Sequence, residues 1–215
     1  MTGGHALLGG AVWAADWSWA EIRGCVFRQN SAETHGGAIC GSVGFNTIAG
    51  CLFVENSAPR GGAIGGHTEC DLEISACTFV DNVANEGGAI YSGFDHGTSI
   101  TGCTFARNEA PLGAVLFVHT CYGTVSLERC LGAFNLGGAA VHVTDSVVEL
   151  TCCDLFGNEG GDWVGPIADQ LGTAGNIALD PWFCDLAHGD LELHDGSPCA
   201  PGTEPNPECS LIGAW

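Results

Sequence analysis

Cysteines stand at positions 25, 51, 77 and 103, each 26 residues after the last, and each opens the same six-residue pattern. The four copies read Cys25-Val-Phe27-Arg-Gln-Asn30, Cys51-Leu-Phe53-Val-Glu-Asn56, Cys77-Thr-Phe79-Val-Asp-Asn82 and Cys103-Thr-Phe105-Ala-Arg-Asn108. A fixed period of this length means a stack of similar units, none of which buries its apolar face without its neighbours. Three residues before the cysteine stand Ile22, Ile48, Ile74, Ile100, Leu127 and Leu150, which recruits Cys130 and Cys153 to the column. Asparagine recurs five residues after it, at Asn30, Asn56, Asn82, Asn108, Asn135 and Asn158. The spacing becomes 27 and then 23 residues at the last two repeats, so the changes in length fall in loops between repeating rungs.

The unit is strand-like. Segments such as Thr47-Ile-Ala-Gly-Cys-Leu-Phe53 are short, rich in β-branched residues and bounded by glycine or asparagine. Helices need about 10 periodic residues without such breaks. The expected fold is all-β: a parallel β-helix, a solenoid whose rungs hydrogen-bond to one another at roughly 4.8 Å. In it the Ile/Leu and Phe columns point inward, and the asparagine column is expected at a left-handed corner with its amides bonded up and down the stack. Glycine pairs at 36 and 37, 61 and 62, and 87 and 88 mark the next corner. The cysteine column reads as buried thiols filling space, because parallel side chains in register oppose disulfide torsion. Among Cys184, Cys199 and Cys209, a bond between two is an open alternative.

Charge narrows the partners. Five basic and 25 acidic residues give a net charge of −20, which disfavours nucleic acid and anionic membrane surfaces. Divalent cations such as Ca2+ are better suited, although no motif requires a cofactor. There is no apolar run of about 18 residues, so no transmembrane segment is read. The chain opens within a rung, since Gly9-Gly10-Ala11-Val12 matches the later Gly-Gly-Ala-Ile segments, and shows no signal peptide; a native export signal is expected upstream.

The linked motifs in Phe53-Val-Glu-Asn-Ser-Ala-Pro-Arg-Gly-Gly-Ala-Ile64 resemble the repeat of polymorphic outer membrane proteins of the chlamydial type, over about residues 9 to 161. That resemblance implies a right-handed parallel β-helix exported as the passenger of a surface protein. It places the chain outside the cell or on a bacterial surface, with glycans or other surface proteins as partners. Leu112-Gly113-Ala114-Val115 and Leu136-Gly137-Gly138-Ala139 depart from the pattern, and no membrane-barrel segment follows.

Two regions follow: rungs over 1–161, the first incomplete, and final rungs with a loop-rich C-terminal cap over 162–215. The segment from Asn176 through Gly196-Ser-Pro-Cys199 resembles the closing segment of secreted bacterial β-helix proteins. The tail to Trp215 is expected to cover the open last rung.

Function has three candidate seats. Glu55, Asp81 and Arg107, with Gln29, form an outward stripe four residues after the cysteine, and clustered acids with a base suit a polysaccharide lyase or glycoside hydrolase. Cross-rung pairing of Asp81 with Arg107 explains the same residues structurally. His119 and His142 each stand eleven before their cysteine, in the column of Cys40, with Glu69, Cys121 and Asp145 close by and His67 one position off. Stacked on neighbouring rungs they suit a metal. Trp13, Trp17 and Trp19 either stack on sugars or cover the N-terminal end. Phosphate loops, nucleophile elbows and zincin helices are absent. The leading expectation is a non-catalytic adhesin-like rod; a carbohydrate-active enzyme is the alternative and a metal-binding module comes third.

Overall fold

The computed structural model describes residues 1–15, 17–94 and 97–214. Three parallel six-stranded sheets run along it, each taking one strand from every rung. The first, the isoleucine sheet, contains Ser18–Arg23, Gly44–Ala49, Cys70–Ser75, Thr98–Thr101, Val125–Glu128 and Val148–Thr151. The second, the phenylalanine sheet, contains Val26–Arg28, Leu52–Val54, Thr78–Val80, Thr104–Ala106, Leu131–Ala133 and Asp154–Phe156. The third contains Val12–Ala14, Ile39–Gly41, Ile64–Gly66, Ile90–Gly93, Leu116–His119 and Val141–Thr144. Among the described residues no helix is long and apolar enough to cross a membrane.

Register follows the sequence columns. Ile22, Ile48, Ile74, Ile100, Leu127 and Leu150 are successive partners, as are Phe27, Phe53, Phe79, Phe105, Gly132 and Leu155. The four phenylalanine rings are fully buried and stack nearly parallel at 5.0, 4.8 and 4.8 Å. Identical rings one strand spacing apart satisfy packing and sheet geometry together.

The corner after this sheet differs from expectation by one residue. The left-handed position belongs to Gln29, Glu55, Asp81 and Arg107, with φ of 54, 55, 55 and 54°, and not to the asparagines. That turn swings the next residue inward, so each asparagine is buried and uses its whole amide. Asn82 donates its main-chain N–H and its Nδ2 to Asn108 Oδ1 at 3.1 and 2.9 Å, and Nδ2 also reaches Phe53 O at 3.1 Å. Its own Oδ1 accepts the same pair of bonds from Asn56 at 3.0 Å each. Every donor and acceptor is used, which a carboxylate in mid-stack cannot match because it has no donor and meets its like on both sides. At the following corner Gly87 has φ of 69°, and a Cβ there would lie 2.1 Å from Ile90 O.

The cysteine column is a ladder of free thiols. The sulfurs of Cys51, Cys77 and Cys103 each accept from the cysteine N–H of the preceding rung at 3.4 Å, while the Cys77 thiol turns to Ser75 O at 3.2 Å. Burial pushes the Cys103, Cys130 and Cys153 thiols well above their ordinary range, so they stay protonated. In the next rung Asn176 takes this place, accepting from Cys153 N–H at 3.0 Å.

The C-terminal region splits into two roles. Trp163 and Ile167, beside and within the short 3-10 helix Gly165–Gln170, pack on the core at the last rung and cap it. The rest corrects the expected cap, because it turns back along the flank of the rod: Gly213 N–H reaches Arg129 O and Ala214 N–H reaches Thr104 Oγ1, both at 2.8 Å. Leu131 and Ala133, on the outer side of the phenylalanine sheet, join Ile177, Cys199, Cys209 and Ile212 in a second apolar cluster. Trp215 lies outside the described residues. The tail is stapled by a disulfide between Cys152 and Cys209, with Cα atoms 5.5 Å apart. Cys184 and Cys199 are free, so the bond joins one member of the Cys184, Cys199 and Cys209 set to Cys152, outside it.

Candidate functional site

The left-handed corner places the predicted stripe on the surface, where its members pair along the rod. Arg107 holds Asp81 with two parallel bonds, Nε to Oδ1 and Nη2 to Oδ2, both 2.8 Å. Its remaining Nη1 donates to Leu186 O of the returning tail. Glu55 accepts from Gln29 Nε2 at 2.9 Å and lies 3.6 Å from Arg28 Nη1. Asp81 raises the pKa of the Arg107 guanidinium further by hydrogen bond and charge. Both Asp81 oxygens face a cation, so the carboxylate is held as one half of a bidentate ion pair.

The stripe borders a groove between the phenylalanine sheet and the tail. One end, about 390 Å3, is lined by Glu55, Asp81, Arg107, Val80 and Leu191 among others; the other, about 650 Å3, by Thr78, Thr104, Leu193, Pro201 and Leu211 among others. Thr78 and Leu191 line both ends. Sequence reasoning missed this groove, although a signal exists. Leu52-Phe-Val54, Thr78-Phe-Val80 and Leu131-Gly-Ala133 lack the polar-out alternation of a strand with one wet face, which means that both faces are covered. Val54, Val80, Leu131 and Ala133 are buried accordingly.

The histidine pair is not brought together as the column predicts. His142 faces Phe117, and His119 faces Thr144. Counting back from the cysteine misaligns them because the loop between third and first sheets shrinks from 120–124 in one rung to 145–147 in the next. His142 instead continues a stack on Phe117, at 5.2 Å, and Phe117 stacks on Tyr91 at 5.5 Å. Cys40, which follows Trp13, lies in that file and leads through Gly65 to Tyr91, so it shares a column with His142 but not with His119. Among the described residues no group of three or more His, Cys, Asp or Glu side chains is placed to hold a metal ion.

Another histidine was overlooked. Gly65 has no side chain, and His35 packs where one would be, with its Cβ 3.1 Å from an ideal Cβ on Gly65. The His35 ring meets His67 edge-on at 4.7 Å, and its Nε2 lies 3.5 Å from Arg60 Nη1. Burial, with His67 and Arg60 adding charge repulsion, lowers its pKa to about 4. Its Nδ1 is buried without a hydrogen-bond partner. Trp13, Trp17 and Trp19 are exposed, at 57, 77 and 83%, so they do not cover the first rung.

A rod of inward ladders, with a tail folded on its flank and Asp81 of its outward stripe tied to Arg107, defines a parallel β-helix with a side groove. Residues 9–170 match the family model described as right handed beta helix region, and the chain belongs to that family. No curated protein and no solved structure matches it.

Proposed function

We propose that this chain is a non-catalytic β-helix module, displayed outside the cell or on a bacterial surface, that binds a partner along its side groove. The single observation that carries the reading is the bidentate Asp81–Arg107 pair, which engages both carboxylate oxygens at the very position where a sugar-cleaving enzyme would need a free acid or base. The repeat's likeness to polymorphic outer membrane proteins supports surface display as a passenger or adhesin-like rod. The acidic surface favours neutral or cationic partners. Incubation with acidic and neutral polysaccharides, assayed for new reducing ends and unsaturated products, tests it. No product is expected; turnover abolished by changing Glu55 and Asp81 in a folded protein overturns the reading.

A further inference from the structure

We propose that the groove takes up an extended, positively charged peptide segment of a partner protein as an added strand; this rests on the non-catalytic binding reading above and names its partner. Among the described residues the strand Asp190–Leu193 is paired on one side only, by Phe183–Asp185. His194 N–H donates to Trp182 O at 2.9 Å, so the Phe183 and Leu193 pair is of the kind that exchanges no bonds, and the main-chain groups of Leu193 point away from Phe183–Asp185. The run from Leu191 to Gly196 borders the 650 Å3 end of the groove. An edge with unspent N–H and C=O groups beside a cavity is the arrangement that strand addition uses.

Chemistry selects the occupant. Glu192 and Asp195 are exposed on the groove's wall, and among the described residues neither carboxylate is in an ion pair. Arg107, which lines the other end of the groove, is committed to Asp81. Leu191, Leu193, Pro201 and Leu211 supply apolar lining. An extended peptide with Lys or Arg alternating with apolar residues sends one set to the carboxylates and the other to the leucines. The described lining of this end has no Phe, Tyr or Trp, the stacking platform that a sugar would use, which favours a peptide over a glycan.

Fluorescence polarisation with the whole chain tests this, using labelled Lys-Val-Lys-Val-Lys-Val, its Glu-Val counterpart, and the basic peptide N-methylated at alternate residues. The basic peptide is expected to bind, more weakly as salt rises, and the acidic and N-methylated peptides at least about tenfold less well. The exposed double change Glu192→Lys with Asp195→Lys is expected to weaken the basic peptide by a similar factor. No binding of the basic peptide, equal binding of the N-methylated one, indifference to the double change, or displacement by a neutral oligosaccharide overturns the proposal. Those failures leave the non-catalytic reading standing, whereas sugar products overturn that reading regardless of peptide binding.

Discussion

Asp162 closes the asparagine ladder: its Oδ1 accepts both the main-chain N–H of Asn158, at 2.8 Å, and the Asn158 side-chain amide, at 2.6 Å. Within the stack each asparagine finds its acceptor in the next rung, but the last has no asparagine above it. A carboxylate fits there because the end position needs only to accept. Asp162→Ala leaves three donors, both of Asn158 and the Gly157 N–H that bonds Oδ2, without their charged acceptor and is expected to cost about 1.5 to 3 kcal/mol. Asp162→Asn, which keeps an acceptor, should lose less than half of that. Urea denaturation of the two variants checks the order, and equal midpoints contradict it.

The phenylalanine stack supplies a sharper contrast. Phe79 is fully buried between Phe53 and Phe105, so Phe79→Ala opens a cavity in mid-stack and is expected to cost about 3 to 5 kcal/mol. Thr101, half-buried on the isoleucine sheet, points away from that core, and Thr101→Ala should cost under about 0.5 kcal/mol. Similar denaturant midpoints for the two would contradict the inward assignment.

Two buried groups give opposite pH signatures. Asp154 is wholly buried, accepts from the Cys199 thiol at 3.0 Å and from Leu179 N–H at 3.1 Å, and burial raises its carboxyl from 3.8 to about 6. Folding therefore favours its protonated form. Its contribution is full below about pH 4 and is lost as pH rises through 6. Asp154→Asn should stabilise the protein at pH 7 and remove that part of the profile. His35 runs the other way: its pKa falls from 6.5 to about 4, so stability present above 6.5 is lost as pH drops toward 4. His35→Gln should flatten that window alone. Thermal melts from pH 4 to 8 read both, and unchanged profiles in both variants contradict the assignment.

The Cys152–Cys209 bond closes a loop across a sequence separation of 57 and holds the tail against the last rung. Its removal by Cys209→Ser is expected to cost about 2 to 4 kcal/mol. Proteolysis should then cut first in the tail, leaving the rungs intact. A variant as resistant as the parent would show that the apolar cluster around Ile177 and Ile212 holds the tail unaided.

The ladders were legible because a stack turns sequence period directly into contact: like residues 26 apart become neighbours, as Phe53 and Phe79 are. The left-handed corner was not, because its occupants, Gln29, Glu55, Asp81, Arg107 and Phe134, share no turn-forming chemistry; the asparagine beside them carries the signal and not the strain. His119 and His142 misled because a count from one landmark absorbs every change in loop length before it. The disulfide hid in Cys152, next to the column residue Cys153, and its partner lies beyond the repeat, where period says nothing. The groove needed the tail's path, which only long-range contacts such as Ala214 to Thr104 reveal.

The most direct measurement compares the parent with Asp81→Asn, which breaks the fork to Arg107, for both stability and release of sugar products. With Asp81 a scaffold residue, the variant melts somewhat earlier, by up to about 1 kcal/mol for a partly exposed pair, and neither protein releases products. Products from the parent that vanish in an equally well-folded variant would make Asp81 a catalytic residue and contradict the account.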